Sequence, residues 1–178
     1  MSEIKSEKVI ILGPSGSGKD FLMRKLIEKG LKGCLKWTTR PKRKLEQQGI
    51  TYNFVESTEF IKSVNENMFL TYQKFKVDDL NTWYYGITND EFENSQVFIM
   101  TPFELKDIPI NKRNECFVVY LDINREIREN RLNIRKDTND SIKRRLDSDD
   151  IDFRSFKDYD LRITDPEFDV DCIYDLMT

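Results

Sequence analysis

The chain has 178 residues, enough for one domain with a hydrophobic core of its own. Its formal net charge is −3, which argues against sequence-independent binding to nucleic acid, because such binding needs a dominant basic surface. There are 3 cysteines and no histidine, so neither a disulfide framework nor a zinc site of cysteine and histidine is expected. No apolar run has the length of a membrane span or a signal-peptide core. We therefore expect a cytoplasmic protein that binds neither nucleic acid nor membrane.

Residues 8–29 predict a strand, a glycine-rich turn and an amphipathic helix. The apolar run at 9–12 is closed by Gly13 and favours a buried parallel strand. The glycines that follow allow successive backbone N–H groups to turn toward a phosphate chain, at the positive end of the helix dipole. Lys19 adds a cation for the outer phosphates. This is the pattern of a P-loop, in which Asp20 occupies the position where serine or threonine is usual.

The middle of the chain predicts further strands with helical segments between them. Residues 32–49 are polar and basic, which is typical of an exposed loop. Residues 51–55 and 69–75 predict strands, and a helix capped by Ser57 or Thr58 is expected to begin at Glu59 between them. Residues 97–100 and 116–121 are short apolar runs and predict two more strands. Segments long enough to cross back over a sheet follow these strands, which favours an α/β domain with parallel strands.

The C-terminal third predicts two arginine-bearing helices. Residues 122–135 predict the first, with Asn124 as its cap, and residues 138–146 predict the second. Their basic residues are Arg128, Arg131, Arg135, Lys143, Arg144 and Arg145. Residues 159–164 predict the last strand, and a short helix from Val170 follows the break at Asp165 and Pro166.

In this order, the motifs resemble those of guanylate kinase and its relatives among the P-loop nucleoside monophosphate kinases. The shared motifs are GPSGSGK at 13–19, TTRPKR at 38–43, Glu46, Gly49, YNFV at 52–55, YYG at 84–86 and the arginine positions of the two C-terminal helices. The resemblance covers nearly the whole chain. It implies an α/β P-loop kinase fold with a central parallel sheet flanked by helices, a small insertion for the monophosphate and an arginine-bearing lid. We expect one domain over residues 1–178, with its core at 1–35 and 90–178, the insertion at about 36–89 and the lid at about 131–145.

The resemblance also implies a role for each matching position. ATP is expected at the phosphate loop and one arginine of the first C-terminal helix: Gly13, Pro14, Ser15, Gly16, Ser17, Gly18, Lys19, Asp20 and Arg131. The catalytic residues are expected to be Lys19, Arg135 and Arg145. The acceptor phosphate is expected at Arg40, Arg43, Tyr52 and Tyr85. These residue types suit phosphoryl transfer, which needs positioning and charge neutralisation rather than covalent chemistry by the protein.

The positions that read the base depart from the family pattern. Lys36, Thr71 and Ile87 stand where a serine, a glutamate and a serine or threonine are usual. In the family, that glutamate accepts hydrogen bonds from the guanine N1 and N2 donors, and a site built to pair such donors discriminates strongly. We expect Thr88 to take over the role of Ile87, and the loop at 77–82 to supply new contacts. The sequence therefore matches the family where it holds phosphate and departs from it where it reads the base.

The positions linked to the metal depart as well. Met100 and Thr101 replace the family's aspartates on the middle strand. The related ribose bisphosphate phosphokinases also carry an aspartate at the position of Asp20. We predict that Asp20 supplies a carboxylate for the cofactor Mg²⁺, directly or through water. The alternative is that Asp20 only stabilises the N-terminus of the helix.

The leading interpretation is transfer of the γ-phosphoryl group of Mg-ATP to GMP or dGMP. A related kinase with another acceptor, either a different nucleotide or ribose bisphosphate, is the first alternative. Asp20 and the missing glutamate favour ribose bisphosphate, whereas Arg43 and Tyr52 favour a nucleotide. The second alternative is a non-catalytic binding module of the guanylate kinase type. Such modules usually have a decayed P-loop, whereas Lys19 and the loop glycines are all present here.

Overall fold

The structure is a computed structural model that describes residues 6–44, 46–76, 81–135 and 141–176. The contacts divide the chain into two compact units. One unit comprises Met1–Leu31 and Val97–Thr178, and the other comprises Lys32–Gln96. The second unit contains the whole of the insertion expected at about 36–89.

The first unit contains a four-stranded parallel sheet. Strand β1 (Lys8–Leu12) lies between β6 (Val97–Ile99) and β7 (Cys116–Leu121), and β8 (Leu161–Ile163) pairs with the outer side of β7. Every residue of β1 and β7 is buried. Burial on both faces explains why these two strands read as continuous apolar runs.

The helices of the first unit are α1 (Lys19–Glu28), α4 (Pro102–Asp107), α5 (Ile110–Arg113), α6 (Arg125–Arg135), α7 (Ile142–Asp152) and α8 (Val170–Asp175). Leu22 and Leu26 of α1 are fully buried in the core formed with the sheet. Thr101 and Glu104 form a capping box at the start of α4. Thr101 therefore has a structural role at the position where the family carries an aspartate.

The second unit contains a mostly antiparallel sheet. Its strands are β2 (Trp37–Thr38), β3 (Asn53–Phe54), β4 (Phe69–Lys76) and β5 (Thr82–Thr88), and its helices are α2 (Ser57–Asn65) and α3 (Asn89–Asn94). The strand order is β3-β2-β5-β4. Strand β5 runs antiparallel to both β2 and β4, while β2 and β3 are parallel.

The prediction of parallel strands is therefore correct for the first unit, whereas in the second unit it holds for β2 and β3 and is wrong for the two pairings of β5. Only residues 77–81 separate β4 from β5, and a parallel pair needs a crossover of a dozen residues or more. The segment at 82–88, for which the sequence suggested no strand, is the centre of this sheet. The basic segment at 32–49, expected to be a loop, contains β2.

The helix boundaries also differ from the predictions. Helix α2 begins at Ser57, with Glu56 as its N-cap. The Asn124 side chain accepts the backbone N–H of Glu126, as expected of a cap. Helix α7 begins after Ser141, whose hydroxyl accepts the Arg144 N–H, and it ends six residues later than expected, at Asp152 rather than residue 146. Residues 138–140 of the predicted helix lie outside the described residues. Within the described ranges, no helix is both long and apolar enough to cross a membrane.

Candidate active site

The glycine-rich turn joins the end of β1 to the start of α1, as the motif predicts. Gly16 and Gly18 adopt φ values of 79° and 105°, in the left-handed region that favours glycine. A Cβ atom on Gly16 would lie 2.7 Å from the carbonyl oxygen of Arg128. The loop therefore packs closely against α6, and glycine is required at 16 for conformation and for space.

Lys19 lies over the loop from which it projects. Its Nζ donates to the carbonyl oxygens of Gly13 at 2.6 Å and Pro14 at 3.0 Å. Burial lowers the pKa of Lys19 below its usual 10.5, and the carboxylates of Asp20 and Asp149 act in the opposite direction. Arg145 and Arg128 lower the pKa of Lys19 further. The first unit thus brings together the phosphate loop, its lysine and charged groups from α6 and α7.

Two polar side chains of the loop are candidates for a metal or phosphate. The Ser17 Oγ is buried and has no hydrogen-bond partner among the described residues. Asp20 is exposed in the first turn of α1, next to Lys19. Within the described part of the chain, no three acidic or cysteine side chains cluster in a way that could hold a metal ion. A Mg²⁺ ion needs only a few protein oxygen ligands when phosphates supply others, so the exposed carboxylate of Asp20 fits this requirement.

The arginines expected near ATP lie on α6 and α7. Arg131 donates to the carbonyl oxygens of Gly16 at 3.3 Å and Pro166 at 3.1 Å. Arg131 therefore ties the phosphate loop to the segment that follows β8. Arg135 is exposed at the C-terminus of α6, and Arg145 is half-buried on α7. Residues 136–140 of the predicted lid lie outside the described residues.

The structure shows one acidic residue at the phosphate loop, Asp149, that was not among the predicted site residues. The backbone N–H of Ser15 donates to the Asp149 Oδ2 at 2.7 Å. Asp149 belongs to α7, in the acidic stretch DSDDID at 147–152. That stretch closely follows the lid arginines in the chain. Its negative charge could have indicated a contact with the phosphate loop, which is rich in N–H donors and cations.

The second unit brings together the four residues expected to hold the acceptor phosphate. The Arg40 guanidinium lies over the ring of Tyr52, 5.5 Å from its centre, and the rings of Tyr52 and Tyr85 are 6.2 Å apart. Burial raises the pKa of Tyr85, while the Arg40 and Arg43 charges oppose this change. The Tyr85 hydroxyl therefore stays protonated at neutral pH, as a neutral donor beside two guanidinium groups.

Glu46 organises this cluster. Its Oε1 accepts from Arg40 Nη2 at 2.6 Å, and its Oε2 accepts from the backbone N–H of Arg43 at 2.8 Å. Both side chains of the Arg40–Glu46 pair are mostly buried. Burial raises the pKa of Glu46, but the hydrogen bonds from Arg40 and Arg43 outweigh this effect, so the pKa of Glu46 lies below its usual value. Glu46 is thus a negatively charged brace for the two arginines. The motif comparison included Glu46 but gave it no role.

The positions expected to read the base are less polar than the cluster of Arg40, Arg43, Tyr52 and Tyr85. Thr71 and Ile87 are cross-strand partners on the face of the sheet that also carries Tyr85. The Oγ1 atom of Thr71 is buried and has no hydrogen-bond partner within the described ranges. Ile87 is fully buried. Lys36 is half-buried directly before β2, and its carbonyl oxygen accepts the Asn53 N–H at 2.8 Å.

Thr88 occupies a different place from the one expected. Its hydroxyl accepts the Glu91 N–H at 3.1 Å and caps α3. Strand alternation puts it on the opposite face from Tyr85, where it lines a cavity of about 470 Å³ with Trp37. The expectation that Thr88 takes over the role of Ile87 is therefore not supported, because the two residues face opposite sides of the sheet.

Comparison with known proteins explains this combination of sites. The family model for guanylate kinase matches residues 5–176. The chain belongs to the guanylate kinase family. A guanylate kinase of Rickettsia felis is 32% identical over 177 residues, which cover 93% of this chain and 90% of that protein. The corresponding protein of Rickettsia bellii is 30% identical, over 94% of this chain and 90% of its own length.

A solved structure supports the fold. The crystal structure of guanylate kinase from Anaplasma phagocytophilum matches with a TM-score of 0.68 at 17% identity, over 96% of this chain and 82% of that one. The α/β P-loop kinase fold predicted from the motifs is therefore confirmed. The order of motifs along the chain was sufficient to identify the guanylate kinase family, although no single motif was.

Proposed function

We propose that this protein is an ATP-dependent nucleoside monophosphate kinase that transfers the γ-phosphoryl group of Mg-ATP to GMP or dGMP. Family membership supports the reaction class. The observation that carries the proposal is the acceptor cluster of Arg40, Arg43, Tyr52 and Tyr85, braced by Glu46. Paired guanidinium groups suit a phosphate dianion because they offer several fixed donors.

The phosphate loop would bind the β- and γ-phosphates of ATP through its backbone N–H groups and Lys19. Arg135 and Arg145 would neutralise charge on the transferring group, and Arg131 would act near the adenine. Asp20 would hold Mg²⁺ directly or through water, and the ion would supply charge neutralisation between the phosphates. The protein then needs little covalent chemistry, because transfer depends on placing the two substrates in line and excluding water.

The positions expected to read the acceptor base offer few polar groups. Thr71 offers one buried hydroxyl where the family has a glutamate, and Ile87 offers no polar group. This favours, as a second candidate, a kinase of the same mechanism with another acceptor, either a different nucleotide or ribose bisphosphate. The intact phosphate loop argues against a non-catalytic binding module. None of the three cysteines, which all lie in the described ranges, forms a disulfide bond, and this fits the proposed cytoplasmic location.

The test is ADP production from Mg-ATP with a panel of acceptors: GMP, dGMP, AMP, CMP, UMP, dTMP and ribose bisphosphate. A dominant rate with GMP or dGMP is expected. A dominant rate with another acceptor would replace the guanine assignment but keep the phosphoryl transfer. No ADP with any acceptor, together with no ATP binding at millimolar Mg-ATP, would contradict the kinase function and favour the binding module.

A further inference from the structure

The acidic side of α7 makes a specific contact with the phosphate loop. The Asp149 Oδ2 accepts the Ser15 N–H at 2.7 Å, the length of a charge-assisted hydrogen bond. The donor belongs to the glycine-rich turn between β1 and α1, to which the proposed function assigns the phosphates of ATP. A carboxylate oxygen and a phosphate oxygen carry similar charge and accept the same donors, so both cannot use this N–H at once.

Asp149 also contributes to the charge balance around Lys19. Its negative charge acts on the buried ammonium group in the same direction as Asp20 does, and against Arg145 and Arg128. Asp152, one turn further along α7, has a pKa raised by burial and by the Asp149 charge. The Asp149 carboxylate is therefore close enough to Lys19 to affect its pKa. An outer phosphate of ATP at Lys19 would carry negative charge into the same place.

Helix α7 carries an acid and an arginine at the same face. Asp149 and Arg145 are four residues apart, one turn of helix, and both act on the charge of Lys19. Other acids attach α7 to α6: Asp147 pairs with Arg125 at 2.7 Å, and Asp150 pairs with Arg128 at 3.1 Å. The contact of Asp149 with Ser15 is therefore a contact between the loop and a helix that is itself held by α6.

We propose that the Asp149 carboxylate takes the place of an outer phosphate oxygen at the Ser15 N–H and thereby positions α7, so that ATP must displace it to bind. The inference rests on the proposed ATP-binding function and goes beyond it, because it gives Asp149 the role of a positioning residue. Displacement of Asp149 by the triphosphate frees its end of α7, and the phosphates then attract Arg145 on the same face. Binding of ATP thus replaces Asp149 with Arg145 as the α7 side chain next to the phosphates.

The first test compares binding of Mg-ATP and of inorganic tripolyphosphate by calorimetry to the wild-type protein, Asp149→Asn and Asp147→Asn. Asp147→Asn is the matched control, because it removes the same charge from the same helix but from a carboxylate paired with Arg125 and Lys143. We expect Asp149→Asn to bind both ligands about tenfold more tightly, because the neutral amide oxygen of asparagine accepts the Ser15 N–H more weakly than the carboxylate does and is easier to displace. Asp147→Asn should stay within about twofold of wild type.

Steady-state kinetics separate positioning from simple charge removal. Asp149→Asn should lower the KM for ATP without raising kcat, because the contact with Ser15 is weakened while Asp147 and Asp150 still hold α7 against α6. Unchanged affinity in Asp149→Asn, an equal gain in Asp147→Asn, or weaker Mg-ATP binding in Asp149→Asn would each overturn the inference. Failure of the wild-type protein to bind either ligand would overturn the proposed function and this inference with it. Normal wild-type binding with no effect of Asp149→Asn would overturn the inference alone.

A second measurement follows the hydrogen bond itself. The amide proton of Ser15 should resonate downfield in the ATP-free wild-type protein and move upfield in Asp149→Asn, with no change in Asp147→Asn. Tripolyphosphate should also speed hydrogen exchange at the C-terminal end of α7, residues 149–152, in the wild-type protein, because this end loses its contact with the loop. A Ser15 resonance that is the same in all three proteins would overturn the inference without reference to activity.

Discussion

The two proposed phosphate sites of this protein each contain a carboxylate, and the two carboxylates make different contacts. Glu46 binds the side chain of Arg40, six positions before it in the chain, and the backbone N–H of Arg43, three positions before it. Asp149 binds the Ser15 N–H, 134 positions away. Glu46 therefore braces neighbours within one loop, whereas Asp149 connects the phosphate loop to a helix from the other end of the chain.

The comparison shows that a carboxylate in an anion site can either prepare the site or compete for it. Glu46 accepts a hydrogen bond from Arg40 Nη2 and holds the guanidinium in place. It would thereby orient the other N–H groups of Arg40 toward the acceptor phosphate. Asp149 accepts from a donor that the proposed ligand itself needs. Removing the first should weaken ligand binding, and removing the second should strengthen it.

The largest effect is expected from loss of Lys19, whose pKa is lowered by burial against the opposing effect of the charges of Asp20 and Asp149. Lys19→Ala should lower kcat/KM for ATP by about a thousandfold, because a fixed cation at the transferring phosphate is lost. Lys25→Ala is the control: Lys25 is on the same helix but is exposed and paired with Glu28. Coupled assay of ADP formation measures both. A Lys19→Ala variant with more than a tenth of wild-type activity would contradict the assignment of the loop.

Two neutralising substitutions, one at each carboxylate, are expected to change KM in opposite directions. Glu46→Gln should raise the KM for the acceptor about tenfold and leave the KM for ATP unchanged, because Arg40 loses its charged brace. Asp149→Asn should lower the KM for ATP instead. Initial rates with each substrate varied in turn provide the four values. If both substitutions changed binding in the same direction, the distinction between a brace and a competitor would fail.

A smaller effect is expected on the acid side of the stability profile. The hydrogen bonds from Arg40 and Arg43 depress the pKa of Glu46 below 4.5, against the effect of burial. A depressed carboxyl pKa stabilises the folded state above the unfolded-state pKa, and this contribution is lost as pH falls through the folded-state pKa. Urea unfolding from pH 6 to pH 3 should therefore show a steeper loss of stability in wild type than in Glu46→Gln. Parallel curves would mean that the brace contributes nothing to folding.

The smallest effect concerns the base-reading edge of the acceptor site. Thr71→Val keeps the shape but removes a buried hydroxyl without a partner among the described residues, so it should raise the unfolding free energy by about 1 kcal/mol. It should also reduce the preference for the best acceptor by about tenfold if the hydroxyl reads the base. Thr58→Val, at an exposed position of α2, serves as the control. A stabilised variant with unchanged acceptor preference would remove Thr71 from the acceptor site.

Much of the first unit was predictable because its elements are local. The apolar run of β1, the glycines and the helix pattern of α1 specify strand, turn and helix within about twenty residues. The core strands β6 and β7 were recognised for the same reason. The second unit was harder, because β5 carries no clear alternation that separates it from the preceding turn. Strand β4 was predicted from residues 69–75, whereas β2 lies in a basic segment and becomes visible only when the chain folds back on itself.

The sequence by itself determined the family and the glycine-rich loop, and it predicted the set of acceptor arginines and tyrosines, because each is a short motif with its own local geometry. Only the tertiary structure decided which faces these side chains share. It separated Thr88 from Tyr85 by strand alternation and left the Thr71 hydroxyl buried on the acceptor side. It also brought Asp149 to Ser15, a contact that no local pattern encodes, because it depends on how α7 packs against α6 and the loop.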